Sequence, residues 1–385
     1  MARSEARLSE SPDLRLGDEV ANLDTPTILI DLDRLERNLR EWQSWMDERG
    51  VKFRVHIKTH KIPEIGLMQM AEGARGICVA KVSEAEPFVD AGIDDVAIAY
   101  PVLGEEKWRR VAALAARGVR MTVNCDNELA VGQASRAAAA AGTTIHLQID
   151  ADAGMHRGGI PIDDVDAVLR LARFIGSQPG VEFDGLTTHR SYFFEGKGSL
   201  RDEGHTEGEI LVRLAERLRD RGLEVREVTA GGSFTGKYVA EVPGVTESRA
   251  GTYVFYDLMH VNEGSTDRDH LALTALCRVV SVWDGGVTVD GGSKTFSGDR
   301  GVVGSGNAQG LPPAMSESTD GRVFLDRLTE EHGMGRVEGD VGLDEKLRFY
   351  PFHACTCSNL TNEMVAIRDG KVEAVWKVAA RGLRQ

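Results

Sequence analysis

Short β-branched apolar runs alternate with longer amphipathic stretches from about residue 52 to about residue 250. The runs KFRVHI (52–57), GICVA (76–80), DVAIAY (95–100), VRMTV (119–123), TIHLQID (144–150), FDGLTTH (183–189), VREVTA (225–230) and VTESRA (245–250) predict strands. Between them, segments such as EKWRRVAALAARG (106–118) and ELAVGQASRAAAAAG (128–142) repeat apolar residues at helical spacing. Eight strands with intervening helices predict an α/β fold, a (β/α)8 barrel of the TIM type. An open doubly wound sheet is the rival on pattern alone, because periodicity reports burial and not closure.

After about residue 268 the rhythm changes to strands joined by Gly- and Asp-rich turns: ALTALCRVVSVW (272–283), GVTVDGG (286–292), EKLRFYP (345–351) and EMVAIRDGKVEAVWKVAA (363–380). Asp369-Gly370 between alternating runs predicts a tight hairpin. The apolar run TPTILIDL (25–32) is expected to join this β domain before the chain enters the barrel. The expected division is therefore an N-terminal segment (1–32) lending a strand to the β domain, a barrel (33–265) and a C-terminal β domain (266–385).

Composition narrows the function classes. The 385 residues are 42% hydrophobic and 28% charged, ordinary for a globular protein. A net charge of −14 argues against a nucleic-acid partner, which needs clustered Lys and Arg in excess. No apolar run is long enough for a membrane helix, and the polar stretch Met1–Asp18 has no signal-peptide character, so a cytoplasmic location is expected. Five cysteines, an odd and sparse set, read as reduced thiols.

The run RVHIKTHK (54–61) carries the densest chemistry. Alternation along an extended strand puts His56, Lys58 and His60 on one face. A lysine at the C-terminal end of a barrel strand lies where such barrels place their active sites. Neighbouring cations favour its uncharged amine, the form that attacks an aldehyde. The alternative is a basic strand end that stays solvated.

The loops after the seventh and eighth strands, TAGGS (229–233) and RAGTY (249–253), hold Gly231, Gly232, Ser233, Gly251, Thr252 and Tyr253. Small residues let backbone N–H groups approach an anion, and hydroxyls add donors. In barrels these two loops are the recurrent phosphate site. Arg157, after the fifth strand, offers a guanidinium to a phenolic oxygen or a carboxylate; a plain surface loop is the alternative. The sixth strand ends His189-Arg190-Ser191-Tyr192, with a ring to stack and a phenol for hydrogen bonding.

Near the C-terminus, His353 and Cys355 stand two apart and share one side of an extended backbone. Imidazole with thiolate suits Zn²⁺ better than Mg²⁺ or Ca²⁺, and two protein ligands leave positions open for substrate or water. The alternative is a His and a Cys packed on a sheet. Cys357 has the spacing of a third ligand and equally of a core residue.

With HIKTHK (56–61) and HAC (353–355) as its most specific parts, the chain resembles the fold-type III pyridoxal phosphate enzymes, an alanine racemase-like barrel followed by a β domain. Within them it is similar to the group of D-threonine aldolase, D-serine dehydratase and 3-hydroxy-D-aspartate dehydratase or aldolase, from Thr25 to about Gly382. The resemblance implies that Lys58 carries pyridoxal 5'-phosphate as a Schiff base and that Gly231, Gly232, Gly251 and Thr252 hold the phosphate. It places Arg157 near the ring oxygen, Tyr192 facing cofactor and substrate, and Tyr253 as a candidate ring contact. His56, His189 and Ser233 count with the cofactor's surroundings. His353 and Cys355 would bind a divalent metal, zinc or another. Relatives in the group are commonly homodimers, which is the expectation here.

The aldolases of the group show His-Cys-Asp at the metal. His353-Ala354-Cys355 matches the D-serine dehydratase-like members, whose metal is zinc, and this favours elimination. Arg190 departs from the glycine of the group and offers a cation for a second substrate carboxylate. The activity so implied removes the β-hydroxyl from a D-amino acid such as D-serine, D-threonine or 3-hydroxy-D-aspartate, giving an oxo acid and ammonia. Lys58 would take the Cα proton while the metal assists departure of the hydroxyl. Retro-aldol cleavage in the same site, with His60 as base, is the alternative. Racemisation needs no metal, a decarboxylase would show a Cys-Asp/Glu-Ser-Gly type motif, and a non-catalytic carrier of the cofactor resembles the barrel alone.

Overall fold

Strands are numbered along the chain, so β1 (Thr27–Asp31) comes first although it lies in the antiparallel sheet described below. Parallel pairing joins β2 (Lys52–His56), β3 (Gly76–Val79), β4 (Asp95–Ile98), β5 (Arg120–Cys125) and β6 (Ile145–Asp152) in chain order. The two-residue β7 (Ile160–Pro161) is a side strand on β6. The order continues through β8 (Val181–Thr187), β9 (Glu227–Ala230) and the short β10 (Glu247–Ser248). β10 also pairs with β2, so the sheet closes into a barrel. The computed structural model describes residues 14–190, 198–299 and 316–385.

Intervening helices form where the sequence supplies a stripe and a cap. The helix Val165–Ser177 buries Val165, Val168, Leu169, Leu171, Ala172 and Ile175, one face at 3.6-residue spacing. Asp164 caps it by accepting the Ala167 N–H at 2.9 Å. Inside the closure, Arg54 of β2 donates to Glu247 of β10 at 2.9 Å and to Asp95 of β4 at 2.6 Å. Three chain-distant strands are thereby tied by one buried guanidinium.

β2 ends at His56. Residues 57–60 turn instead, with the N–H groups of His60 and Lys61 donating to the Ile57 carbonyl at 3.2 and 2.9 Å. The alternation that would have aligned His56, Lys58 and His60 on one face stops there, which corrects that expectation.

The second sheet comprises β11 (Leu273–Trp283), β12 (Gly286–Val289), β13 (Ser316–Ser318), β14 (Val323–Leu328), β15 (Gly333–Val337), β16 (Lys346–Pro351), β17 (Glu363–Arg368) and β18 (Lys371–Lys377) with β1. β1 runs antiparallel to β11 and parallel to β17, so the N-terminal strand sits inside this sheet. Asp369 (φ 49°) and Gly370 (φ 75°) both adopt positive φ, the requirement of a type I′ turn between β17 and β18. Val20, Leu23, Leu29, Leu276, Val365, Ile367 and Val372 form a core beneath it. The chain divides into two compact units, residues 39–253 with 382–385 and residues up to 38 with 254–381. Among the described residues no helix is long and apolar enough to cross a membrane.

Candidate active site

Lys58 is exposed on the turn that follows β2, at the C-terminal end of the barrel strands. Nδ1 of His56 accepts the Lys58 backbone N–H at 3.3 Å, so the imidazole lone pair holds the turn. Surrounding protein strips water from His56, and the charges of Lys58, Arg249, His189 and Arg157 add to that effect; its pKa falls well below the usual histidine value. His189 behaves alike, lowered to about 3 by burial and then by Arg157, Lys58 and Arg249. Both rings are neutral at pH 7.

The loops after β9 and β10 meet at Ser233. Its Oγ accepts the backbone N–H groups of Gly251 at 3.0 Å, Thr252 at 2.8 Å and Tyr253 at 3.3 Å. This one hydroxyl oxygen engages three consecutive amides and ties the two loops together, leaving the Ser233 O–H as the donor they present to an anion. Gly251 is required by close approach, since a Cβ there would stand 2.6 Å from the His56 carbonyl oxygen. A Cβ on Gly232 would come within 3.3 Å of His189 Cε1.

Gly231 corrects part of the expected phosphate site. Its N–H donates to Glu207 Oε1 at 3.0 Å and is committed within the protein. Glu207, fully buried on the helix Leu200–Arg219, also accepts the Arg190 N–H at 3.1 Å and the Thr235 hydroxyl at 2.9 Å. The Tyr253 side chain is a second correction. Its ring is enclosed against Trp42 and Phe53, with centroids 5.0 and 5.2 Å away, and its hydroxyl accepts from Gln69 at 2.9 Å. Tyr253 thus gives its amide to Ser233 and its ring to the core.

Arg157 is exposed on a loop anchored at both ends. Asp152 accepts the N–H groups of Gly154 and His156, each at 3.0 Å, and Asp126 accepts that of Gly159 at 2.9 Å. Sequence reasoning missed Arg249 and Asp150. Arg249 is buried and donates to the Thr188 carbonyl at 3.1 Å. Asp150, on β6, is pushed up to about 6 by burial, against the pull of Arg249 and Arg157. A basic residue just before Gly251 was the available signal for Arg249; Asp150 had only its place at a strand end.

Three other predicted residues stand differently. His60 is fully buried, its Nδ1 accepts the Ile62 N–H at 3.1 Å, its ring meets the Phe88 edge, and burial lowers its pKa to about 3. Arg190 is ion-paired with Glu203, which occupies the cation proposed for a second carboxylate. Tyr192 lies outside the described residues.

In the antiparallel unit, β16 ends at Pro351 and His353 is the N-cap of the short helix Ala354–Ser358. His353 and Cys355 therefore lie at a helix start and not on extended backbone, which corrects the same-side argument. They still meet, through a side-chain hydrogen bond. Burial opposes charge on His353, but Cys355, Asp257 and Asp299 outweigh it and raise the pKa to about 10. Asp299 contacts His353 Nδ1 at 2.8 Å. Cys357 is buried and its thiol donates to the Thr295 carbonyl at 3.1 Å.

At the barrel mouth, the Ser233 hydroxyl fixed by three amides, with the side chains of Lys58, Arg157 and Arg249, matches a cofactor bearing a phosphate, a phenolic oxygen and an aldehyde. At the helix start, imidazole and thiolate within hydrogen-bonding reach match a borderline-soft cation. Among the described residues no group of three or more His, Cys, Asp or Glu is arranged to hold a metal.

Comparison with known proteins agrees in both units. The alanine racemase N-terminal domain family matches residues 30–258, and a serine dehydratase domain matches residues 272–367. The D-threonine aldolase of Arthrobacter sp. is 34% identical, covering 96% of this chain and 96% of its own. The D-threo-3-hydroxyaspartate dehydratase of Delftia sp. (strain HT23) is 32% identical, covering 94% and 98%. A solved D-threo-3-hydroxyaspartate dehydratase, a mutant in the metal-free form, superposes with a TM-score of 0.84 at 31% identity, covering 94% and 98%.

Proposed function

The chain belongs to the alanine racemase N-terminal domain family, and from that membership we propose that it is a pyridoxal phosphate-dependent lyase of β-hydroxy D-amino acids. The reaction proposed is elimination of the β-hydroxyl, yielding an oxo acid and ammonia. One observation carries the cofactor assignment: the loops after β9 and β10 meet at the Ser233 hydroxyl, held by the amides of residues 251–253, next to the His56–Lys58 turn.

Bound at Lys58, the cofactor would supply an electron sink for negative charge developing at Cα. The protein's own contributions follow from its residues. Lys58 Nζ would hold the cofactor through its aldehyde and, when free, would take the Cα proton. The Ser233 hydroxyl, fixed by the amides of residues 251–253, would hold the phosphate, and Arg157 would serve the phenolic oxygen. His56 and His189 remain neutral and add no charge to a site already rich in cations. His353 and Cys355 would hold zinc, which would supply Lewis acidity towards a hydroxyl that is otherwise a poor leaving group.

Retro-aldol cleavage is the second reading, favoured by the likeness to a D-threonine aldolase. The burial and weak basicity of His60 count against that ring as the base of such a cleavage. Incubation of zinc-supplemented holoenzyme with D-threonine separates the two. Elimination releases 2-oxobutanoate and ammonia; acetaldehyde with glycine would overturn the proposal in favour of cleavage.

A further inference from the structure

The His353–Cys355 turn is held by carboxylates that lie far away in sequence, one on His353 and one on the Ala354 amide. Asp299, 54 residues upstream, contacts His353 Nδ1 at 2.8 Å. A carboxylate in that position commits the Nδ1 proton, leaving the Nε2 lone pair as the ring's donor to a cation.

Asp257 acts from the other side. Its Oδ2 accepts the Ala354 N–H at 2.9 Å, the amide between the two pair residues. Its Oδ1 accepts from His260 Nδ1 at 2.6 Å, and the Met259 N–H donates to the Phe352 carbonyl at 3.2 Å. The segment 257–260 therefore clamps the turn on both sides of His353. Asp257 and His260 are 1% and 0% exposed, and among the described residues the ionic partner of Asp257 is His260, not a Lys or Arg. A buried negative charge behind an imidazole and a thiolate favours a cation in front of them.

We propose that Asp257 and Asp299 are positioning residues for the metal pair: Asp299 sets the tautomer of His353, and Asp257 fixes the turn and supplies charge. This rests on the reading of His353 and Cys355 as zinc ligands. Neither carboxylate belongs to the His-Ala-Cys motif. Outer partners of this kind alter metal affinity by roughly tenfold to a hundredfold.

The test is zinc affinity of the pyridoxal phosphate-loaded protein, by competition with a chromogenic chelator, with the visible absorbance of the cofactor recorded in parallel. Wild type and Cys355→Ala establish whether the pair binds zinc at all. If wild type binds no better than Cys355→Ala, the zinc reading fails and takes this inference with it. Where wild type binds, Asp257→Asn and Asp299→Asn are each expected to weaken zinc by roughly tenfold to a hundredfold with cofactor absorbance unchanged. Asp299→Glu is expected to restore most of the loss, which a packing role alone would not allow. Zinc affinities within twofold of wild type in both Asn variants would overturn the inference alone. Should Asp257→Asn also lose cofactor absorbance, a sign of misfolding, the Asp299 pair of variants decides.

Discussion

The Nδ1 atom of His56 accepts the backbone N–H of Lys58 at 3.3 Å. The proposed cofactor lysine therefore stands on a turn held by a neutral imidazole, within a field of cations. Attachment of the cofactor and removal of the Cα proton are both assigned to this one amine. Lys58→Ala is expected to lose the visible band of the cofactor after dialysis and to lower turnover by at least about a hundredfold. A visible band that survives dialysis in this variant would place the attachment on another lysine.

His60 makes stability depend on pH in a definite direction. Its folded pKa is about 3, below the unfolded 6.5, so as pH falls the unfolded chain takes the proton first. The fold keeps its full stability above about pH 6.5 and loses it down to about pH 3, at up to about 1.4 kcal/mol per pH unit from this ring. His60→Asn keeps an acceptor for the Ile62 N–H and removes the titration. Urea unfolding at several pH values should show a shallower acid slope in the variant; identical slopes would show that the ring is protonated in the folded state.

Much of this architecture was legible because local burial patterns encode it. The eight barrel runs, the strand at 25–32 and the Asp369-Gly370 turn each announce themselves within a few residues. The end of β2 was not legible, since the sequence alternates straight through Lys58 while hydrogen bonds to Ile57 turn the chain. The helical start at Ala354 was hidden in the same way behind a strand-like run. Partners from distant segments leave no local pattern: Glu207 on the Gly231 amide and Asp299 on His353 are visible only after folding. Tyr253 read as a ligand residue because sequence position does not say which way an aromatic ring turns.

Arg54 tests barrel closure. Its side chain is 4% exposed and bridges Glu247 and Asp95, at 2% and 15%. Arg54→Ala leaves the buried Glu247 carboxylate without its cation, while Asp95 keeps Arg75 at 3.5 Å, a change that costs about 3–5 kcal/mol. Denaturant titration of the apoprotein checks it. A loss below about 1 kcal/mol would mean that water replaces the guanidinium without penalty.

Metal removal should separate the proposed roles of Lys58 and the His353–Cys355 pair. Dialysis against a chelator is expected to suppress elimination while leaving the visible band of the cofactor intact, and zinc is expected to restore turnover. Cys355→Ala should copy the chelated enzyme and resist rescue by zinc. Full activity in the chelated protein would remove the metal from the mechanism.

Gly251 joins the anion site to the lysine turn. An added Cβ would stand 2.6 Å from the His56 carbonyl oxygen, closer than real Cβ contacts come, and 3.1 Å from the His56 Cβ, tighter than most of them. The backbone must then shift, and two things move together: the amides of residues 251–253 and the base of the Lys58 turn. Overpacking of this kind costs about 1–3 kcal/mol in stability. Gly251→Ala is therefore expected to weaken cofactor binding by about tenfold or more, because a shift of these N–H groups displaces the Ser233 hydroxyl they hold and so loses its hydrogen bond to the phosphate. The effect should fall on the phosphate: pyridoxal without phosphate should bind the variant and the wild type with nearly equal affinity. Spectroscopic titration of both compounds checks this, and an equal loss for pyridoxal would assign the defect to the lysine turn and not to the anion site.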